Sequence, residues 1–392
     1  MGTGEGDLLA GLVRMISAAT AAPALDAVVM SRAVLATVAP DDAASLVEVA
    51  RDHGVEAWVA ASAPPSWPVE VLADLRAQRH RFAAARARQQ ALLEDLSSAF
   101  LAADVPWLVL KGRAIADRVY PRPDLRFGVD IDVLVEPASF GRAVAAAQGV
   151  GKLVDVNWPL VHRLQVGELR VLSRNGTTID LHWHLLNDRL LRDRFDLPTA
   201  ALIERLVPSE DGTYRRLGPL DELVHVCLHA ATSGANRLMW LVDVDRLVRH
   251  DRVDWPGLVA AARGARAAAA VALVLSRSRR VLGTPVPEPV LRQLAGSGWA
   301  VACALAERTR ADGLDVVPSG PSLGRAMARS ARGGLADSLA TLARNGAQFV
   351  AGARHSGAPA RWLDPADPTS AMYEVESAAD RDAYLALVAT QS

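Results

Sequence analysis

The sequence predicts an α+β fold, a small mixed sheet flanked by N-terminal and C-terminal helical regions. Three observations predict it. Strand-like runs are confined to residues 105–195. Helical periodicity fills the chain before and after them. Alanine is abundant while aromatic residues make up only 5% of the 392 residues, a balance that favours helices.

Four regions follow in order. Residues 1–104 read as an N-terminal helical region. Leu8, Leu9, Leu12, Met15 and Ile16 recur at helical spacing, and Asp41-Asp42 marks a helix start that Gly54 ends. Pro64-Pro65-Ser66 breaks the pattern, and a long amphipathic helix then runs from Val69 to about Ala103. Residues 105–195 form the core. Trp107–Leu110 is a short buried strand, and a helix covers Arg113–Tyr120. Pro121, Pro123 and Gly128 mark a loop. Asp130–Val135 alternates polar and apolar as a half-buried strand does, and Ala138–Gln148 is a helix. Glu168–Ser173 and Thr177–His184 are strands joined at Asn175-Gly176, a strong hairpin signal. Residues 196–310 return to helices, clearest at Asp221–Ala231 and Arg237–Val248. Residues 311–392 form a helical and irregular tail, with a helix over Leu335–Phe349 and a loop-like stretch over 353–380.

Composition excludes several classes. Lys plus Arg is 43 and Asp plus Glu 44, a net charge of −1, which argues against a general binder of long nucleic acid. Two cysteines exclude a disulfide framework and a Cys-rich zinc site. The most apolar stretch, Ala267–Leu275, is about half of the ~20 residues that span a membrane. Glu5 and Asp7 precede any apolar run, so no secretory signal is expected and the chain reads as cytoplasmic.

The chemistry concentrates in the core. On a strand, residues i and i+2 share a face, so Asp130 and Asp132 stand side by side while Ile131, Val133 and Val135 face inward. Adjacent carboxylates repel unless a cation lies between them, and Mg²⁺ or Mn²⁺ prefers such oxygen ligands. A charged sheet edge carries the same pattern for structural reasons. Thr178, Asp180, His182 and His184 alternate with apolar residues, and the hairpin can bring Asp180 beside the pair. Three such carboxylates would hold two metal ions; the alternative is the solvated face of a hairpin. Lys111-Gly112 stands where a strand gives way to a helix, a place suited to phosphate or to a simple turn. His225 and His229 share a helix face. Without the Glu of a metalloprotease helix they read as interior or cleft residues rather than zinc ligands.

These motifs resemble the bacterial nucleotidyltransferase-like family of the polymerase-β-type superfamily. The resemblance rests on Leu110-Lys111-Gly112, Tyr120, Pro123, Arg126, Asp130–Val135 and Ile179–Trp183. The helical segment Leu223–His229, with Arg237, Trp240, Leu241 and Asp243, extends it. It implies Asp130, Asp132 and Asp180 as catalytic and metal-holding acids. Lys111, Gly112, Arg126 and His182 would contact the nucleotide. The implied reaction transfers a nucleoside monophosphate from an NTP to an acceptor, with Mg²⁺ or Mn²⁺ as cofactor. The near-neutral charge points to a small-molecule or peptide acceptor. The chain departs from the superfamily in having Lys111-Gly112-Arg113 in place of Gly-Ser, and a longer gap to the Asp pair. A transferase tailoring a peptide or antibiotic on the same scaffold, and an inactive binding module, remain as alternatives.

Overall fold

A computed structural model describes residues 4–22, 26–295, 298–299, 314–315, 318, 322–332, 336–343 and 374–391. Its helices and strands run in chain order as α1 (Glu5–Ala21), α2 (Ala27–Leu35), α3 (Ala43–Asp52), α4 (Glu56–Ser62), α5 (Val69–Ala102), β1 (Trp107–Val109), α6 (Lys111–Val119), β2 (Asp130–Val135), α7 (Phe140–Gln148), β3 (Gly151–Val154), α8 (Trp158–Leu164), β4 (Glu168–Ser173) and β5 (Thr178–His182). Two short helices, Arg189–Arg192 and Thr199–Ile203, and a two-stranded ribbon pairing Val207–Pro208 with Arg215–Arg216 lead to further helices. These cover Pro219–Ser233, Leu238–His250, Trp255–Gly264, Ala268–Leu282, Glu288–Leu294, Leu323–Arg329 and Ala378–Val388.

The chain packs as two units, each discontinuous in sequence. One comprises Met1–Ala84, Ile115–Phe127 and Glu222–Ala343; the other comprises Ala85–Ala114, Gly128–Asp221 and Arg344–Ser392. The core expected over 105–195 lies in the second unit except for residues 115–127. The first unit is helical. Leu12, Met15 and Ile16 on α1, and Leu241 and Val244 on helix Leu238–His250, are almost fully buried in it.

The second unit holds a five-stranded mixed sheet in the order β1-β2-β5-β4-β3. β2 and β5 run parallel; every other neighbouring pair is antiparallel. Period-two alternation sorts the faces. Ile131, Val133, Val135, Leu169, Val171, Ile179 and Leu181 form one buried face, packed with Leu92, Leu96 and Phe100 of α5 and Phe140 of α7. Each such aliphatic side chain contributes about 1.5–3 kcal/mol on burial, so this face fixes the sheet's orientation and register. The opposite face carries the acids.

The β4–β5 hairpin closes through a three-residue loop, not the two-residue turn that Asn-Gly alone suggests. The Gly176 amide donates to Ser173 O (3.0 Å), Gly176 is left-handed at φ +81°, and the Ser173 amide donates to Thr177 O (2.9 Å). This is a turn followed by a left-handed residue that only glycine adopts without cost. The extra residue places Leu169 opposite Leu181 and Arg170 opposite Asp180, apolar with apolar and charge with charge.

Several elements differ from the sequence reading: the ribbon Val207–Pro208/Arg215–Arg216 lies in a stretch expected to be helical, and β3 and α8 lie in a stretch assigned to neither helix nor strand. β3 is a half-exposed edge strand, and α8 starts at Asn157, whose side chain accepts from the Leu160 amide at 3.1 Å. The tail also differs. Most of the loop-like stretch, residues 353–373, lies outside the described residues, as does part of the expected helix 335–349, of which 336–343 is helical. Residues 374–391 pack on the second unit. Val375 bridges to Asn157, and helix Ala378–Val388 buries Tyr384 and Val388 in the second unit's core. Ser377 caps that helix by accepting from the Asp380 amide at 3.2 Å. Among the described residues no helix is long and apolar enough to cross a membrane.

Candidate active site

The site lies on the polar face of the sheet in the second unit. The parallel register sets Asp132 directly opposite Asp180, with Asp130 opposite Thr178 and Leu134 opposite His182. On the other side of β5 the antiparallel register sets Arg170 opposite Asp180 and Glu168 opposite His182. The three predicted acids are therefore neighbours on one face. Gln89 of α5 anchors the start of β2 by donating its amide to Gly128 O at 2.9 Å and Asp130 O at 3.4 Å.

Lys111 reaches this face from the end of β1. Its Nζ lies 3.0 Å from Asp132 Oδ1, and His182 Nε2 lies 3.2 Å from the same oxygen. The next residue, Gly112, adopts φ +32° and ψ −100° inside α6, so the helix is kinked at its second residue. A side chain there would be strained by the backbone alone. The space above it is open, since a Cβ would meet nothing within 4 Å. The kink leaves the backbone beside Lys111 open on the side where a Cβ would stand.

Each acid has a different electrostatic setting. Burial alone would raise the Asp132 carboxyl, but the Lys111 ammonium and the His182 imidazole overcome it and hold it well below the usual carboxylate range. Asp130 moves the other way. Burial raises its carboxyl, and the charges of Asp132 and Asp180 raise it further, with Lys111 only partly opposing. Asp130 has no ion-pair partner among the described residues. Asp180 Oδ1 is held by Arg170 Nε at 3.2 Å.

His182 is buried. Its Nδ1 lies 3.2 Å from Glu168 Oε2 but off the direction a hydrogen bond requires. Burial disfavours its protonated form, yet Asp132 and Glu168 together raise its pKa above the usual histidine value. Glu168 is itself raised, by burial first, with His182 opposing. His182, expected among the nucleotide contacts, thus spends its Nε2 on Asp132.

Arg126, expected at the phosphates, belongs to the first unit, and its guanidinium is engaged there. Nε and Nη2 bind both oxygens of buried Asp243 at 2.9–3.1 Å, and Nη1 donates to Phe127 O at 2.9 Å. Tyr120 also donates to Asp243 Oδ1 at 2.6 Å. Bidentate pairing of this kind fixes a guanidinium in place. His225 and His229 lie in the same unit with ring centroids 6.4 Å apart, and the His229 ring meets Trp240 edge-on at 6.0 Å.

Glu168 and Arg170 were not singled out from sequence. Both sit at even positions of β4, and the parity of the hairpin would have placed them across from His182 and Asp180.

The donor set fits a hard divalent cation in its chemistry: three neighbouring carboxylates, one of them without a counter-charge. As the side chains stand, no three carboxylate, imidazole or thiolate groups among the described residues converge closely enough to hold an ion. The cation in contact with Asp132 is the chain's own Lys111 ammonium.

No curated protein matches the chain. The model of the uncharacterised nucleotidyltransferase family matches residues 39–283, which takes in both the acid-bearing sheet and the helices before and after it, and the chain belongs to that family.

Proposed function

We propose that this protein transfers a nucleoside monophosphate from an NTP to a hydroxyl or phosphate oxygen of a small-molecule or peptide acceptor, releasing pyrophosphate. The observation that carries this reading is the register of β2 and β5. It sets Asp180 opposite Asp132, with Asp130 on the same face and Lys111-Gly112 beside them. Asp130, Asp132 and Asp180 would hold Mg²⁺ or Mn²⁺. When bound, that cation supplies positive charge to the triphosphate and lowers the pKa of the attacking oxygen.

The chain's own residues do the rest. Lys111 places a point charge toward the phosphates, and the open backbone at Gly112 admits them closely. His182 fixes the orientation of the Asp132 carboxylate through Oδ1. Arg170 holds Asp180 Oδ1 and leaves Oδ2 for the cation, and a hydroxyl acceptor's proton passes to solvent as the new P–O bond forms and the bond to pyrophosphate breaks.

The test is pyrophosphate release from a mixture of the four NTPs with Mn²⁺ and a small-molecule extract of host cells, for wild type and Asp132→Asn. Release by wild type and its loss in Asp132→Asn supports the reading. No release by wild type, or equal release by the variant, contradicts it. A tailoring transferase that uses another donor would modify its acceptor without releasing pyrophosphate.

A further inference from the structure

We infer that Lys111 is the built-in counter-cation of the acid cluster at rest, and that it yields Asp132 only when a nucleoside triphosphate arrives to take its ammonium, so that divalent cation and nucleotide enter together. The inference rests on the metal-dependent nucleotidyl-transfer reading above and adds to it an order of binding.

Asp132 Oδ1 already has two donors, Lys111 Nζ at 3.0 Å and His182 Nε2 at 3.2 Å. A divalent cation arriving alone would have to bind beside a tethered ammonium, and like charges at contact distance repel. In the resting cluster the chain's own cations already hold three of the four acids: Lys111 pairs with Asp132, His182 lies between Asp132 and Glu168, and Arg170 pairs with Asp180 while its Nη1 also reaches the exposed Asp155 at 3.2 Å. Asp130 is the acid left over among the described residues, and one such charge is a weak lure for a hydrated dication.

Lys111 is also the partner able to leave. Its side chain is 20% exposed, against 8% for Asp132 and 7% for His182. It stands immediately before the kink at Gly112, where nothing lies within 4 Å of the position a Cβ would take. A triphosphate approaching that open backbone offers the ammonium several anionic oxygens in exchange for one carboxylate. The move frees Asp132 at the moment when the nucleotide brings its own cation. His182, buried and held between Asp132 and Glu168, stays behind to orient the freed carboxylate.

The experiment is equilibrium dialysis of full-length wild type and Lys111→Met against Mn²⁺, with and without a mixture of NTP analogues carrying a methylene α–β bridge. Wild type alone should retain Mn²⁺ weakly, and the analogues should raise the protein-bound Mn²⁺ strongly. Lys111→Met should bind Mn²⁺ without nucleotide about tenfold more tightly than wild type. If Lys111→Met gains nothing over wild type in the absence of nucleotide, the inference falls while the metal reading stands. If neither protein retains Mn²⁺ with or without the analogues, both fall. Should the variant fail to fold, wild type decides alone: Mn²⁺ bound as tightly without the analogues as with them overturns the inference.

Discussion

Asp132 and Asp180 stand directly opposite each other on parallel neighbouring strands, and each carboxylate is claimed by a cation of the chain itself, Lys111 for one and Arg170 for the other. Asp130, two residues from Asp132 on the same face, has no such partner among the described residues. The electrostatic cost of assembling three acids therefore falls on Asp130, and this difference gives the first prediction.

Burial and the two neighbouring carboxylates raise the Asp130 pKa. A raised acid costs the folded state stability above its folded pKa, and the cost is gone below its unfolded value, near 3.9. Asp130→Asn should therefore melt at a higher temperature than wild type at pH 7 without metal, and the difference should close below about pH 4. It should also lose Mn²⁺-dependent transfer activity. A melting series against pH checks the first part; an Asn variant less stable than wild type at pH 7 would make Asp130 a structural acid.

Arg126 and Asp243 form a buried pair, 8% and 3% exposed. Removing one partner leaves an uncompensated buried charge, which costs about 3–5 kcal/mol. Arg126→Ala should lose about that much stability in denaturant unfolding. Asp243→Asn should lose a comparable amount, since it leaves the Arg126 guanidinium buried without its counter-charge. Wild-type stability in Arg126→Ala, combined with lost nucleotide affinity, would show that its guanidinium serves the nucleotide rather than the fold.

His184 is buried, and its Nδ1 accepts from the Leu186 amide at 3.0 Å. Burial, helped by the Arg192 guanidinium, lowers its pKa to about 4. Between about pH 6.5 and 4 the unfolded chain takes up a proton that the folded chain refuses, so folding is progressively penalised as pH falls. His184→Gln, which can still accept from Leu186, should flatten that limb of the stability curve relative to wild type. Parallel acid limbs for the two proteins would show that His184 carries its proton in the fold.

Tyr384 is fully buried, donates to Val166 O at 2.6 Å and lies 2.9 Å from Trp183 Nε1. Tyr384→Ala should cost about 3–5 kcal/mol, the scale of large aromatic truncations in a core. Tyr384→Phe should cost only the hydrogen bond, about 1 kcal/mol. Urea unfolding of the two variants separates packing from polarity. Equal losses would show that the hydroxyl, not the ring, holds the C-terminal helix.

What sequence made legible follows from periodicity. Asp130–Val135 alternates without interruption, so its strand and its two faces could be read outright. The pairing of Asp132 with Asp180 could be anticipated only as a neighbourhood, because a parallel pair has no turn to fix its register. The parity of Leu169 and Val171 against Ile179 and Leu181 would have fixed the β4–β5 register and brought Glu168 and Arg170 into the site. β3 carries no sequence signal, because its four residues, one exposed and three half-buried, show no alternation. The helix at Ala378–Val388 was obscured by the Gly-, Pro- and Ser-rich chain before it, although Ser377 and Asp380 carry a capping signal. The roles of Lys111 and Arg126 depend on partners distant in sequence, Asp132 and Asp243, which no local pattern announces.

Transfer of a nucleoside monophosphate is decided by the position of a radiolabel. Wild type and Asp180→Asn are incubated with NTPs labelled at either the α- or the γ-phosphate, Mn²⁺ and a host extract, and the label in new products is measured. Label from the α-phosphate should appear in an acceptor product, label from the γ-phosphate in pyrophosphate alone, and neither with Asp180→Asn. Acceptor labelled from the γ-phosphate, or α-labelling undiminished in Asp180→Asn, would contradict it.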